Sequence, residues 1–282
     1  YSELGAKHII FLDTGSDDNT VKIAREFENV TVLSTTIKYK HNEFAMKRYL
    51  FDRFSKNRWS IFADIDEFFD YPYSDKITIT DLLEYLNKQN YNAVVTQMLD
   101  MFSITSDFNS ENDNEENPKE KYEFYDLSGI RKFNLDDYSY ADWLLRCIPF
   151  KSNYTNMFNN NIFNADIKFH MDGIRKSIFN TNNYITKFSL VFTDGKLDPV
   201  FLANAHLVAN ARIADFSTVL YHYKLTDFFY RQVIEANRSK NYNCNDYEQY
   251  YQVIKDNVGP LINMKNAKSD ASLDQLLENN FL

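Results

Sequence analysis

The sequence predicts an α/β fold, with a mostly parallel central sheet flanked by helices and a helical extension at the C-terminal end. Three observations point there. Short apolar runs alternate with segments of helical period from His8 to Phe69, an order that gives parallel strands joined by crossover helices. Two of those runs stop abruptly at acids, Asp13 in one case and Asp64 and Asp66 in the other. At 282 residues the chain can also bury one large core, so one domain with appendages accounts for it better than two equal ones.

Taken in order, His8–Asp13 (HIIFLD) is a buried strand, and Thr14-Gly15-Ser16-Asp17-Asp18-Asn19 is a turn rich in helix-capping residues. A helix follows, with Val21, Ile23, Ala24 and Phe27 on one side, and then a strand at Val30–Ser34. Asn42–Phe54 carries Ala45, Met46, Tyr49, Leu50 and Phe54 at helical spacing. In Trp59–Phe69 (WSIFADIDEFF), the run Ile61, Phe62, Ala63 reads as another buried strand. A helix over Ile79–Leu86, opened by Thr80 or Asp81, leads to a strand at Ala93–Met98. Residues 103–121 are polar, acidic and nearly free of aliphatics, which describes a solvated surface loop. Residues 122–168 give no clean period. Strands at Tyr184–Phe192 and Ser217–Tyr223 follow, then a helix over Asp227–Ala236, and helical spacing resumes at Tyr247 until a break at Gly259-Pro260. The expected division is a domain over 1–240 and a helical extension over 241–282, with the final twenty residues at the periphery.

Composition narrows the functional classes. A net charge of −9 carries no nucleic-acid footprint. No apolar run approaches the ~18 residues of a membrane span, and no signal peptide is visible, so a cytoplasmic protein without a transmembrane segment is expected. The chain opens on Tyr rather than Met and reads as a piece of something longer. Cys147 and Cys244 are the only cysteines, too few for a disulfide framework. The 24 Phe and 20 Tyr accompany abundant Asn, Lys and Ile, the mark of coding DNA rich in A and T, and carry no functional weight.

The chemistry concentrates at the acidic strand ends. Side chains of a strand alternate faces, so Asp64 and Asp66 are expected to point the same way. Two such carboxylates repel one another and resist desolvation unless a cation lies between them. Oxygen ligation suits Mg²⁺ or Mn²⁺, which keep several waters and bind through substrate phosphates. The plainer reading is a polar strand end running into a turn. Ligands of such sheets bind beyond the carboxyl ends of the strands, so Asp13 is expected to face the same crevice as the acidic pair.

LGAKHIIFLDTGSDDNT, followed about fifty residues later by WSIFADIDEFF, resembles the glycosyltransferase family 2-like group. Its members have the GT-A fold, a Rossmann-like sheet whose second strand ends in Asp-x-Gly-Ser-x-Asp and whose metal motif reads Asp-x-Asp-Glu-Phe. DGIRKSIF is similar to the group's Gly-Gly-x-Arg stretch, NNYITKFSLV to its Lys-bearing strand, and VLYHYKLTDFF to its His-Tyr-Lys stretch. The likeness covers roughly residues 3–240. It places the family's first strand before Tyr1, and it puts Asp172-Gly173 where the family has paired glycines.

The resemblance implies a nucleotide-diphosphate sugar as donor and a hydroxyl, on a glycan or another molecule, as acceptor. Asp66 would be the main ligand of Mn²⁺ or Mg²⁺, with Asp64 reaching ribose or metal through water. His222 would complete the metal shell and Lys224 would meet the diphosphate. Asp13 would bond the base or ribose, the alternative being a cap on the helix that starts near Asn19. His206 would line the donor pocket, and Glu67 would brace the loop or bond the acceptor. Asp172 is the candidate base of an inverting transfer, with Asp142 and Asp166 as rivals and a turn aspartate as the plain alternative. Arg175 and Lys187 are phosphate or acidic-acceptor candidates set against solvated surface charge, and His170 is taken as structural. Two other classes stay open: a nucleotidyltransferase, which also uses paired carboxylates and a divalent ion, and a non-catalytic binding domain.

Overall fold

A computed structural model describes residues 1–104, 117–133, 160–164, 166–199, 205–239, 246–255 and 264–282. In chain order the elements are β1 (Ile9–Asp13), α1 (Thr20–Ala24), β2 (Val30–Ser34), α2 (Tyr39–Phe54), β3 (Trp59–Ile61), β4 (Glu67–Asp70), α3 (Ile79–Lys88) and β5 (Ala93–Phe102). They continue with α4 (Pro118–Lys121), β6 (Ile130–Phe133), β7 (Phe169–Asp172), α5 (Ile174–Phe179), β8 (Thr186–Phe192), β9 (Asp198–Pro199) and β10 (Val208–Ala209). The last are β11 (Ile213–Leu225), α6 (Phe229–Ser239), α7 (Asp246–Lys255), a 3₁₀ turn at Met264–Asn266 and α8 (Leu273–Glu278).

The architecture is mixed α/β around a five-stranded sheet in the order β3-β8-β5-β11-β4. Every residue of β5 is buried, as its unbroken apolar run requires of a central strand. Its side chains feed all four core clusters of the described residues. Val94 and Met98 meet Leu82 and Leu86 of α3, while Ala93 and Val95 join Phe51 of α2 and Phe188 and Val191 of β8. Thr78 caps α3 in a reciprocal capping box with Asp81, two residues before Thr80, the earlier of the two openings the sequence suggested.

The sheet is mixed rather than mostly parallel. Of its four pairings only β5–β11 is parallel, and β3–β8, β8–β5 and β11–β4 are antiparallel. The strand–helix alternation that suggested a parallel sheet stops at β3. Parallel neighbours need a crossover of about a dozen residues or more, and only Phe62–Asp66 separates β3 from β4. The parallel pair β1–β2 is a sheet of its own. The run Ile61–Ala63 is not a buried strand either: β3 lies at the sheet edge, half-buried, and Ala63 is exposed.

β3 and β4 are the two opposite edges of this sheet, and the acidic motif is the connection between them. Strands about 4.8 Å apart would put those edges ~19 Å apart in a flat sheet. The Phe62 N–H still bonds Ser189 O on β8, and the Glu67 N–H bonds Asp64 O in a tight turn. Two Cα steps of up to ~3.6 Å and a turn under ~7 Å reach only ~14 Å. The sheet therefore curls at this end, drawing its edges together over the motif.

The final residues belong to the core instead of its periphery. Leu276 and Phe281 are buried among Leu99, Met101, Tyr122, Tyr125 and Val219, and Lys268 bridges to Tyr125. The Gly259-Pro260 break lies outside the described residues, as do most of the acidic loop and Cys147 and Cys244. Among the described residues no helix is long and apolar enough to cross a membrane. Leu276→Ala should destabilise the fold by roughly 2–5 kcal/mol through the cavity it leaves, read from the urea midpoint. A peripheral residue would change stability by under ~0.5 kcal/mol.

Candidate functional site

β3, β5 and β11 run in one direction and β8 and β4 in the other. The curled end therefore gathers the carboxyl ends of the first three and the amino ends of the other two. All five strands deliver a charged group or flank one: Asp64 and Asp66 in the β3–β4 turn, Glu67 on β4, Asp100 on β5, Lys187 on β8, and His222 and Lys224 on β11.

Because the motif is a turn, strand alternation does not apply to it, and the two aspartates look at different partners. Asp64 Oδ1 and Oδ2 each lie 3.2 Å from an ammonium, Lys47 of α2 and Lys187 respectively. The Lys187 charge, helped by Lys47, holds the Asp64 carboxyl far below the usual carboxylate range. Glu67, fully buried, pairs with Lys187 through one oxygen and accepts the Asp64 N–H through the other at 2.9 Å. It braces the turn and is closed to an acceptor. Burial pulls the Lys187 pKa down, and Glu67 and Asp64 more than restore it.

Asp66 faces β11. Its Oδ2 is 3.5 Å from His222 Nε2, while His222 Nδ1 lies 2.6 Å from Asp100 Oδ1. Asp100 Oδ2 accepts from Arg175 Nε at 2.8 Å. Burial pushes the Asp100 carboxyl up, and Arg175 and His222 outweigh it, leaving the acid well below its ordinary value. Burial likewise lowers His222, but its bonds to Asp100 and Asp66 raise it above an ordinary histidine. For Asp66 the desolvation cost is overcome by His222 and by the nearby charge of Lys224. Asp64 stands near enough to push Asp66 upward, so the two acids remain neighbours.

This arrangement fits a divalent cation at Asp66 and His222 better than at Asp64. An imidazole whose Nδ1 is fixed on a carboxylate presents Nε2 as a ligand, the usual support of a metal-bound histidine. Facing Nε2 lone pair and carboxylate repel unless a proton or a cation joins them. Both Asp64 oxygens are already engaged by lysines, which removes it from direct ligation in this arrangement. Among the described residues no three His, Cys, Asp or Glu side chains form a ready cage. A site of two protein ligands leaves other positions to water and phosphate, as Mg²⁺ and Mn²⁺ prefer.

The other candidates sort as follows. Asp13 accepts from the backbone N–H groups of Gly15 and Ser16 at 3.2 and 2.9 Å, and the Ser16 side chain together with these bonds lowers its pKa. It ties its own turn and does not cap α1, and among the described residues no hydrogen bond or ion pair links it to Asp64 or Asp66. Arg175 and Lys187, set against surface charge in the sequence, are both buried, at 6% and 4% exposure. Asp172 is buried with a left-handed backbone, φ 75°, and pairs with Arg131, while its Oδ1 has no partner. Asp166 sits in an exposed turn closed by Asn164, and Asp142 lies outside the described residues. His206 places Nδ1 2.6 Å from Thr186 O beside Lys187, and burial with that lysine pushes its pKa down to about 3. His170 is buried against Phe281, as a structural histidine would be.

Sequence reasoning missed Lys47, Asp100, Tyr247, Tyr250 and Tyr1, whose hydroxyl bridges Glu67 O and the Phe69 N–H on the β4 backbone. Asp100 carried the signal already used for Asp13, an acid closing an apolar run. The others carried none, since ordinary lysines and tyrosines become informative only once packed. Compared with known proteins, the chain matches no protein-family model, no curated protein and no solved structure.

Lys187→Met leaves Glu67 buried without its counter-charge and should cost about 3–5 kcal/mol of stability. Adding Glu67→Gln should recover part of that loss in the same denaturation curves. A second outcome concerns acid. Burial, with Lys132 adding, pushes the His170 pKa down to about 3, below its ordinary value of 6.5. The unfolded chain then binds the proton first, so stability falls as pH drops from about 6.5 towards 3. His170→Gln should flatten that decline in urea midpoints measured across the interval.

Proposed function

We propose that this chain is a metal-dependent glycosyltransferase of the GT-A type, moving a sugar from a nucleotide-diphosphate donor to a hydroxyl acceptor on a glycan. The observation that carries the reading is the Asp66–His222–Asp100–Arg175 chain at the curled end of the sheet. It joins the Asp-x-Asp-Glu-Phe turn to the His-Tyr-Lys strand and to the arginine after Asp172-Gly173, three segments that the sequence resemblance had singled out separately.

In this reading Asp66 and His222 hold Mn²⁺ or Mg²⁺, Asp100 fixes the imidazole, and Lys224 meets the diphosphate. Asp64 bonds ribose, or the metal through water, once its lysines shift. His206 lines the donor pocket beside Lys187, and Asp13 approaches the base or ribose. Glu67 holds the turn. Asp172 is the base that takes the acceptor proton in an inverting transfer. The cation, when bound, offsets charge building on the departing diphosphate.

One observation favours the rival reading of a non-catalytic domain. Asp64 is neutralised by Lys47 and Lys187, so the turn is electrostatically satisfied without any ion.

A thermal-shift screen of nucleoside diphosphates with and without Mn²⁺ tests both, because a ligand that binds the native state raises the melting point by mass action. One diphosphate should stabilise the protein in Mn²⁺ only, and Asp66→Ala should abolish both that shift and transfer. Full transfer by the variant refutes the role given to Asp66. Release of pyrophosphate in place of nucleoside diphosphate from a nucleotide sugar would make the enzyme a nucleotidyltransferase.

A further inference from the structure

Three lysines stand around the motif, and they are held in two different ways. Lys187 and Lys47 are paired with carboxylates, Glu67 and Asp64 in the first case and Asp64 and Glu43 in the second. Among the described residues no carboxylate lies within ion-pair distance of Lys224, and Asp66 feels its charge only at longer range. Its Nζ donates to the Tyr247 hydroxyl at 3.2 Å and lies 5.0 Å from the centroid of that ring and 6.0 Å from that of Tyr250. Both tyrosines belong to α7, beyond the part of the chain that resembles a glycosyltransferase. The two rings are themselves packed edge to face at 5.6 Å, and Tyr250 is buried against Phe179 and Phe229.

The difference matters for binding an anion. A carboxylate that holds a lysine also cancels its charge, whereas an aromatic face holds the cation through its quadrupole and leaves the charge available. A lysine stem also has about 2 kcal/mol of rotamer freedom to lose, and a pair of rings removes much of that before a ligand arrives. Tyr250 also lies beside the buried Arg175 guanidinium, which orients Asp100 and through it His222. Arg175 Nη2 remains without a partner.

We propose that Tyr247 and Tyr250 are positioning residues of the site, holding Lys224 as a pre-set positive charge, outside any direct ion pair, for the diphosphate of a nucleotide ligand. The helix α7 is then part of the binding machinery. This rests on the reading given under Proposed function, and the variants below separate its failure from the failure of that reading.

The test is calorimetric titration of the full chain with UDP and GDP in Mn²⁺, with uridine and guanosine as phosphate-free controls. Tyr247→Leu should weaken the diphosphate that binds by about tenfold and leave the nucleoside unchanged. In a Lys224→Ala background the same substitution should cost nothing further, because it acts through that lysine. Should the leucine variant not fold, Tyr247→Phe keeps the ring and should lose a smaller factor, again only when Lys224 is present. If Tyr247→Leu binds the diphosphate as tightly as the parent while Asp66→Ala does not bind it, the positioning role is overturned and the glycosyltransferase reading stands. Equal losses in the presence and absence of Lys224 overturn it as well. If the parent binds no nucleoside diphosphate, both fall together.

Discussion

The buried ion pair between Lys187 and Glu67 is the fastening on which the candidate site depends. It links β8, inside the sheet, to β4 at its edge, and Glu67 carries its second oxygen to the Asp64 backbone. The turn containing both aspartates is thereby tied at its root. A buried pair of this kind adds little net stability, since desolvation offsets much of the attraction. What it does secure is a single arrangement, because any other leaves an unpaired charge in a dry interior.

From that fastening the electrostatics run outward in two branches. One branch is closed on itself: Lys187 and Lys47 satisfy Asp64 and Glu67. The other ends open, with Asp66 partly exposed and joined to His222 over 3.5 Å, a distance longer than a good N–H···O bond. Behind His222 stand Asp100 and Arg175, both buried. The site thus has a neutralised floor and, above it, a partly exposed Asp66 carboxylate backed by the buried His222 imidazole.

Much of the secondary structure was legible because apolar period reports which face is buried. β1, β2, β8 and α3 lie close to where the runs placed them. Strand direction was not legible, since an apolar run such as Thr186–Phe192 has the same composition read either way along the sheet. Nor was the conformation of Asp64–Glu67: the two acids share a strand face only if they are in a strand, and the Glu67–Asp64 hydrogen bond makes them a turn. Lys187 and Arg175 show a further limit. Charge alone suggests solvent, and their burial follows from partners more than seventy positions away, as with Arg175 and Asp100. His222 was legible for a different reason, as part of a recognisable stretch and not through its spacing.

The crossing of the acidic segment from one sheet margin to the other has a mechanical corollary. Margins of a sheet are where native proteins fray first, yet here both are stitched to the same short span. An opening fluctuation at β3 would slacken β4 and release Asp66 from His222 in the same event, so amide protons on the two margins should exchange with common kinetics although three strands lie between them.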